Sequence, residues 1–194
     1  SVLRYGHSGE TSGDYNRIVG YVAAVLYENT AGPDSEASFI SDEDKKLLLK
    51  VARQTLELFL RDSTRATFDV PDHLRQPGAA FVTLNKHHSL RGCIGLTRAV
   101  KPMVETVSYC AIEAALHDPR FPPVSYSELD DIEIEISILT PLQRVDNLEN
   151  IKVGRDGLMI SYGGRRGLLL PQVASEYDWT REEFLRQTCR KAGL

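Results

Sequence analysis

"AAFVTLNKHHSLRGCIGL" occupies Ala79–Leu96, and its reading decides the fold. "AAFVTL" is apolar and partly β-branched, which predicts a buried strand. "NKHHS" is a turn, and "LRGCIGL" is the strand that returns, so the stretch predicts an antiparallel hairpin. Downstream, "DIEIEISILT" alternates strictly. Ile132, Ile134, Ile136 and Ile138 face inward while Glu133, Glu135 and Ser137 face outward, the pattern of a half-buried antiparallel strand. "GLMISYGGRRGLLLP" predicts a second hairpin, turning at Gly163–Gly164.

Helices flank these strands. In "SDED", Ser41 takes the N-cap and Asp44 stands where a capping box usually has Glu or Gln. The helix that follows buries a stripe of Leu48, Val51, Ala52, Leu56 and Phe59. A second helix is predicted over 101–117, with Pro102 in its first turn. Val104, Val107, Ser108, Ala111 and Ala115 form its inner stripe. "DPRFPPV" ends it, because proline neither donates nor fits inside a helix. "TREEFLRQTCRKA" predicts a last helix, with Thr180 and Glu183 as its capping box. Hairpins flanked by helices make the fold class α+β, with a mostly antiparallel sheet.

The amino-terminal segment reads apart from this. "SVLRY" is a short strand, and "YNRIVGYVAAVLYE" is an apolar, β-rich run. "NTAGPDSEAS" has linker composition. The predicted organisation is residues 1–28, a linker at 29–40, and a domain at 41–194. The chain does not begin with Met, which is expected of a piece of a longer protein or of a processed product.

Bulk properties exclude several function classes. The chain has 194 residues, 42% of them hydrophobic and 26% charged, with a net charge of -4. A protein that binds nucleic acid through its global field is normally basic, so that partner class is disfavoured. No apolar run reaches the roughly 20 residues that span a bilayer. The three cysteines, Cys93, Cys110 and Cys189, are an odd, widely spaced set. That argues against a disulfide framework and for a reducing, cytoplasmic setting.

The chemistry concentrates around Cys93. On a regular strand, Leu90, Gly92 and Ile94 share one face while Arg91, Cys93 and Gly95 share the other. A guanidinium that close favours the thiolate. Gly95 leaves the same face bare and Gly92 thins the strand from behind, so a ligand could approach the backbone. Cys93 with Arg91 therefore reads either as a reactive or binding thiol or as a small core cysteine beside a structural arginine. His87 and His88 are candidate bases toward Cys93 by the usual Cys–His logic. As neighbours on a turn they also read as solvated. No C-x-x-C or H-E-x-x-H spacing accompanies them, so no metal or cofactor is expected. Asp118 and Arg120 sit at the rigid "HDPRFPP" turn, within reach of each other or of Arg91. Glu133 with Glu135, and Arg165 with Arg166, read first as solvated charges.

"LRGCIG", "DPRFPPV", "IEISILTP", "VGRDGLMI", "GLLLPQVA" and "FLRQTCRKAGL" occur in this order over 41–194. Together they resemble the AMMECR domain family, of which "LRGCIG" is the signature. Family members continue past "KAGL", where this chain ends. "RYGHSGETSGDYNRIVGYVA" is similar to the carboxyl end of the Memo family, as in prokaryotic proteins that fuse Memo to an AMMECR domain. The resemblance implies larger and smaller lobes, a Memo-like partner and association with a radical SAM enzyme. Pairing with a second copy of the chain is open. It assigns no reaction. Two functional readings follow. One is an enzyme acting on a small substrate, with Cys93, Arg91, His87 and His88 as catalytic candidates and Gly92, Gly95, Asp118 and Arg120 around the substrate. The other is a non-catalytic adaptor that binds partner proteins.

Overall fold

The computed structural model describes residues 40–162 and 164–194 in full, and the backbone of a first strand, β1 (Asn16–Leu26). The strand expected in "SVLRY" and the linker lie outside the described residues, apart from Ile40. Two compact units are present. The larger holds residues 16–19 of β1 and 40–139, and the smaller holds 140–194 together with residues 20–26 of β1.

In the larger unit, α1 (Asp42–Asp62) begins at a complete capping box. The Asp44 N–H donates to Ser41 Oγ at 3.1 Å, and the Asp44 carboxylate accepts the Ser41 N–H at 2.9 Å. Aspartate thus closes the box that glutamate usually closes. Leu48, Val51, Ala52 and Leu56 are fully buried. Phe59, expected to extend that stripe, is half-buried, and Thr55 joins the buried face instead.

The hairpin pairs β2 (Pro77–Lys86) with β3 (Ser89–Pro102) through a turn of His87 and His88. Both histidines have left-handed backbones, with φ of 50° and 62°. Two positive φ values in a two-residue loop give the turn whose twist matches a hairpin, a site glycine or asparagine usually fills. The second helix, α2 (Met103–Leu116), starts two residues later than the spacing predicts, with Pro102 at its cap position. The last strand of this unit, β4 (Ile132–Leu139), pairs antiparallel with β2, giving the order β3-β2-β4.

The core joins α1 and α2 to the inner face of this sheet, where Ala80, Val82, Leu84, Ile132, Ile134, Ile136 and Ile138 lie. Ser137 lies on the outer face, as its alternation requires, but is only 1% exposed, and its hydroxyl has no hydrogen-bond partner among the described residues.

The smaller unit is built of strands and two helices. A two-residue strand, β5 (Gln143–Arg144), and β6 (Asp156–Tyr162) each run parallel to β1. The predicted hairpin from β6 to β7 (Arg165–Leu169) is present, with Tyr162 opposite Arg165. Helix α3 (Pro171–Glu176), which the pattern did not predict, and α4 (Arg181–Lys191) enclose a core of Ile151, Leu158, Leu169, Ala174 and Phe184. At Gly167 a β-carbon would stand 2.5 Å from the Ala192 nitrogen, so glycine is what lets the α4 end close on β7. At Thr180 only half of the predicted box forms. The hydroxyl accepts the Glu183 N–H, while the Glu183 carboxylate turns to Arg186 and Gln187.

Candidate functional site

Thr83 stands directly opposite Cys93, and Glu135 stands opposite Thr83 on its other side. The three side chains form one row on the outer face of the sheet. Cys93 belongs to the end strand of the order β3-β2-β4, and its peptide groups point away from β2. Its N–H donates to Asp118 Oδ2 at 2.8 Å, and its carbonyl accepts Arg120 Nη2 at 3.4 Å. A pair not bridged by ladder bonds brings its side chains closer. The Thr83 hydroxyl accordingly donates to Cys93 Sγ at 3.2 Å.

The segment after α2 makes these bonds because prolines keep it out of any helix or ladder. Its polar work passes to side chains. Asp118 is 4% exposed and grips the Arg120 guanidinium through Nε at 2.9 Å and Nη2 at 2.6 Å. That guanidinium, joined by the N–H groups of Cys93 and Arg120, holds the Asp118 carboxyl well below the usual carboxylate range despite burial.

Arg91 breaks the alternation expected of it. Asn85 pairs with Leu90, yet Leu84 pairs with Gly92, which leaves Arg91 as the extra residue of a β-bulge. Leu90 therefore shares a face with Asn85 and Cys93, not with Gly92. Arg91 reaches the 122–128 segment, donating to the carbonyls of Pro122 at 2.8 Å and Pro123 at 3.3 Å and to both Glu128 oxygens at 3.2 Å. The Arg91 hydrogen bonds, with the Ser125 N–H and Lys86, lower the Glu128 carboxyl to about 2.

The cation beside the Cys93 thiol is thus Arg120, not Arg91. Burial pushes that thiol up, and the Thr83 hydrogen bond and Arg120 only partly oppose it. The expected depression by Arg91 does not occur.

The other candidates are placed as follows. His87 and His88 are exposed at the hairpin tip, and His88 faces Glu133 at 3.8 Å. Cys93 lies opposite Thr83, four residues back along β2, or roughly 13 Å at strand rise. Neither histidine is within reach of its proton. Gly92 is buried on the inner face, where a β-carbon would stand 2.1 Å from the Ala114 carbonyl oxygen of α2. It cannot line a site beside Cys93. Gly95 does not leave its face bare, because the Phe81 ring from the neighbouring strand lies over it, 2.2 Å from where a β-carbon would be. Asp118 and Arg120 do meet Cys93, through its backbone. Cys110 is fully buried, and desolvation pushes its thiol up to about 12. Arg165 is engaged with the Gly193 carbonyl at 2.5 Å. Among the described residues, no three His, Cys, Asp or Glu side chains gather as metal ligands do.

The sequence reading missed Thr83, Phe81 and Glu128. A hairpin counted regularly outward from Lys86–Ser89 puts Gly92, not Cys93, opposite Thr83. Only the bulge brings Thr83 to the thiol, and it falls at Arg91 rather than at Gly95, where the glycine invites one.

The sequence pattern of the AMMECR1 family matches residues 49–194. The chain belongs to the AMMECR1 family. A protein of Methanothermobacter thermautotrophicus is 48% identical over 163 residues, covering 80% of this chain and 85% of the relative. One of Thermococcus kodakarensis is 46% identical over 167 residues, covering 80% and 82%. The crystal structure of an uncharacterized protein from Pyrococcus horikoshii superposes with a TM-score of 0.76 at 42% identity, covering 80% of this chain and 82% of that one. The α+β architecture of this AMMECR1 domain is thus shared with a solved structure. No described helix is long and apolar enough to cross a membrane.

Proposed function

We propose that this AMMECR1 domain is a non-catalytic adaptor that binds a partner protein, and that the Cys93 region is a structural clasp. One observation carries the reading. Both peptide groups of Cys93 are held by Asp118 and Arg120, and its thiol is desolvated and hydrogen-bonded by Thr83. Such a thiol stays protonated at neutral pH, whereas the thiolate is the nucleophile. The enzymatic alternative needs Arg91 to stabilise a thiolate and His87 or His88 to take a proton. Arg91 is committed to Glu128, Pro122 and Pro123, and the histidines stand at the hairpin tip.

The partner implied by the resemblance of residues 1–28 is a Memo-like domain, joined through a linker at 29–40 to an AMMECR domain at 41–194. A radical SAM enzyme would be the third component, in a cytoplasmic setting.

The test is an alkylation series against pH, with each cysteine read by peptide mass. Cys93 is expected to react slowly at neutral pH, with a midpoint above that of the unfolded chain. Arg120→Gln should raise the midpoint further, and His87→Ala should leave it unchanged. A Cys93 that reacts fastest of the three at neutral pH, with a lowered midpoint, would overturn the adaptor reading. Calorimetric titration against a purified Memo-like domain tests the partner, and absence of binding at micromolar concentrations counts against it.

A further inference from the structure

In the smaller unit, α3 ends at Glu176 and α4 is capped at Thr180. The segment between them holds two aromatic rings. Asp178 adopts a left-handed backbone with φ of 49°. Aspartate tolerates that region better than most residues. The turn brings Tyr177 and Trp179 into a stack, with ring centroids 5.2 Å apart and planes inclined by 16°. Trp179 is half-buried against the core of this unit, and its backbone N–H bonds to the Ala174 carbonyl at 2.9 Å. Tyr177 lies outside it and is 66% exposed.

A tyrosine at that exposure keeps its hydroxyl in water and leaves ring surface available for a contact. The charge around it indicates what. Glu176 and Asp178, the residues on either side of Tyr177, are both exposed, and neither forms an ion pair among the described residues. The neighbouring acids are already used. Glu182 faces Arg181, and Glu183 faces Arg186. Among the described residues, cations stand over Phe59, Tyr109 and Phe121, and none stands over Tyr177. A π face backed by an indole and bordered by two uncompensated carboxylates attracts a cation. A planar guanidinium stacks on such a face better than a compact ammonium does.

We propose that the Tyr177–Trp179 stack, bordered by Glu176 and Asp178, is a docking site for an arginine side chain of a partner protein. This deepens the adaptor reading and rests on it for the existence of a partner. It lies in a different unit from Cys93, so the thiol assay and the docking assay fail separately.

Trp179 is the sole tryptophan of the chain, so its fluorescence reports this site alone. The experiment titrates the full chain with a short arginine-rich peptide, and with lysine and glutamate peptides of equal length. The arginine peptide should give a saturable change, the lysine peptide a weaker one and the glutamate peptide none. Tyr177→Ala should weaken binding about fivefold, the effect of one cation–π contact. Tyr177→Phe should retain most of the binding. The double variant Glu176→Gln, Asp178→Asn keeps the left-handed turn and should also bind more weakly. No saturable change, an equal response to the glutamate peptide, or arginine binding untouched by Tyr177→Ala would each overturn the proposal. Circular dichroism of each variant separates lost docking from lost fold.

Discussion

On the inner face of β3, Gly92 gives up its side chain so that the α2 backbone can come within a carbonyl's reach. On the outer face, Gly95 gives up its side chain so that the Phe81 ring can lie across the strand. Both glycines fill space by absence, but their neighbours differ in kind. The neighbour of Gly92 is the Ala114 carbonyl, a backbone atom in the last turn of α2. The neighbour of Gly95 is a ring on a rotatable side chain. The inner face is therefore set by backbone, and the outer face by side chains that can yield.

The sharpest way to break this comparison is to add one methyl to each glycine. Gly92→Ala places a carbon where only 2.1 Å separates it from a backbone oxygen, so strand or helix must move. The expected loss is about 3 kcal/mol or more in chemical denaturation. A loss below about 1 kcal/mol would show that the helix yields as easily as a side chain, and the distinction would fall.

Arg91→Gln comes next, with an expected loss of about 2 kcal/mol at neutral pH from hydrogen bonds made by a charged donor. Its pH dependence sharpens the assignment. Glu128 has its folded pKa lowered from 4.5 to about 2, with the Arg91 hydrogen bond as the largest cause. A depressed carboxylate stabilises the fold above its unfolded pKa and loses that contribution as pH falls through the folded one. The gap between wild type and Arg91→Gln should therefore narrow as pH drops from 4.5 toward 2. A gap that stays constant over that window would assign the stability of Arg91 to the proline carbonyls alone.

Gly95→Ala is the smallest effect, about 1 kcal/mol, because Phe81 can rotate away. Combining it with Phe81→Leu should recover part of the loss, since residues in contact do not add. Strict additivity by the same denaturation measurement would mean that the ring and the glycine do not touch.

The elements that local chemistry specifies were legible in the sequence. Ser41 and Asp44 announced the start of α1, isoleucine alternation announced β4, and Gly163–Gly164 announced the second hairpin. Where a residue's place depended on a distant partner, the pattern misled. The alternation of β3 fails at Arg91 because a bulge inserts there. The fate of its guanidinium depends on the route of the 118–128 segment, which nothing local to "LRGCIG" specifies. Ser137 faces outward as its alternation predicts yet is buried, because period two fixes a side and not what lies on that side. The candidate site was legible as a neighbourhood, Cys93 with Asp118 and Arg120. Its chemistry was not, because thiol acidity depends on burial and on which arginine stands nearby.

The grip of Asp118 and Arg120 on the Cys93 peptide has a consequence for the protein among its own copies. A strand at the end of a sheet ordinarily offers free N–H and C=O groups, and another chain can add a strand to them. At Cys93 those groups are already bonded to a carboxylate and a guanidinium. Loss of Asp118 would thus do more than loosen a turn. It would uncover a template for cross-chain pairing, and aggregation would follow from the vacancy even where the fold survives.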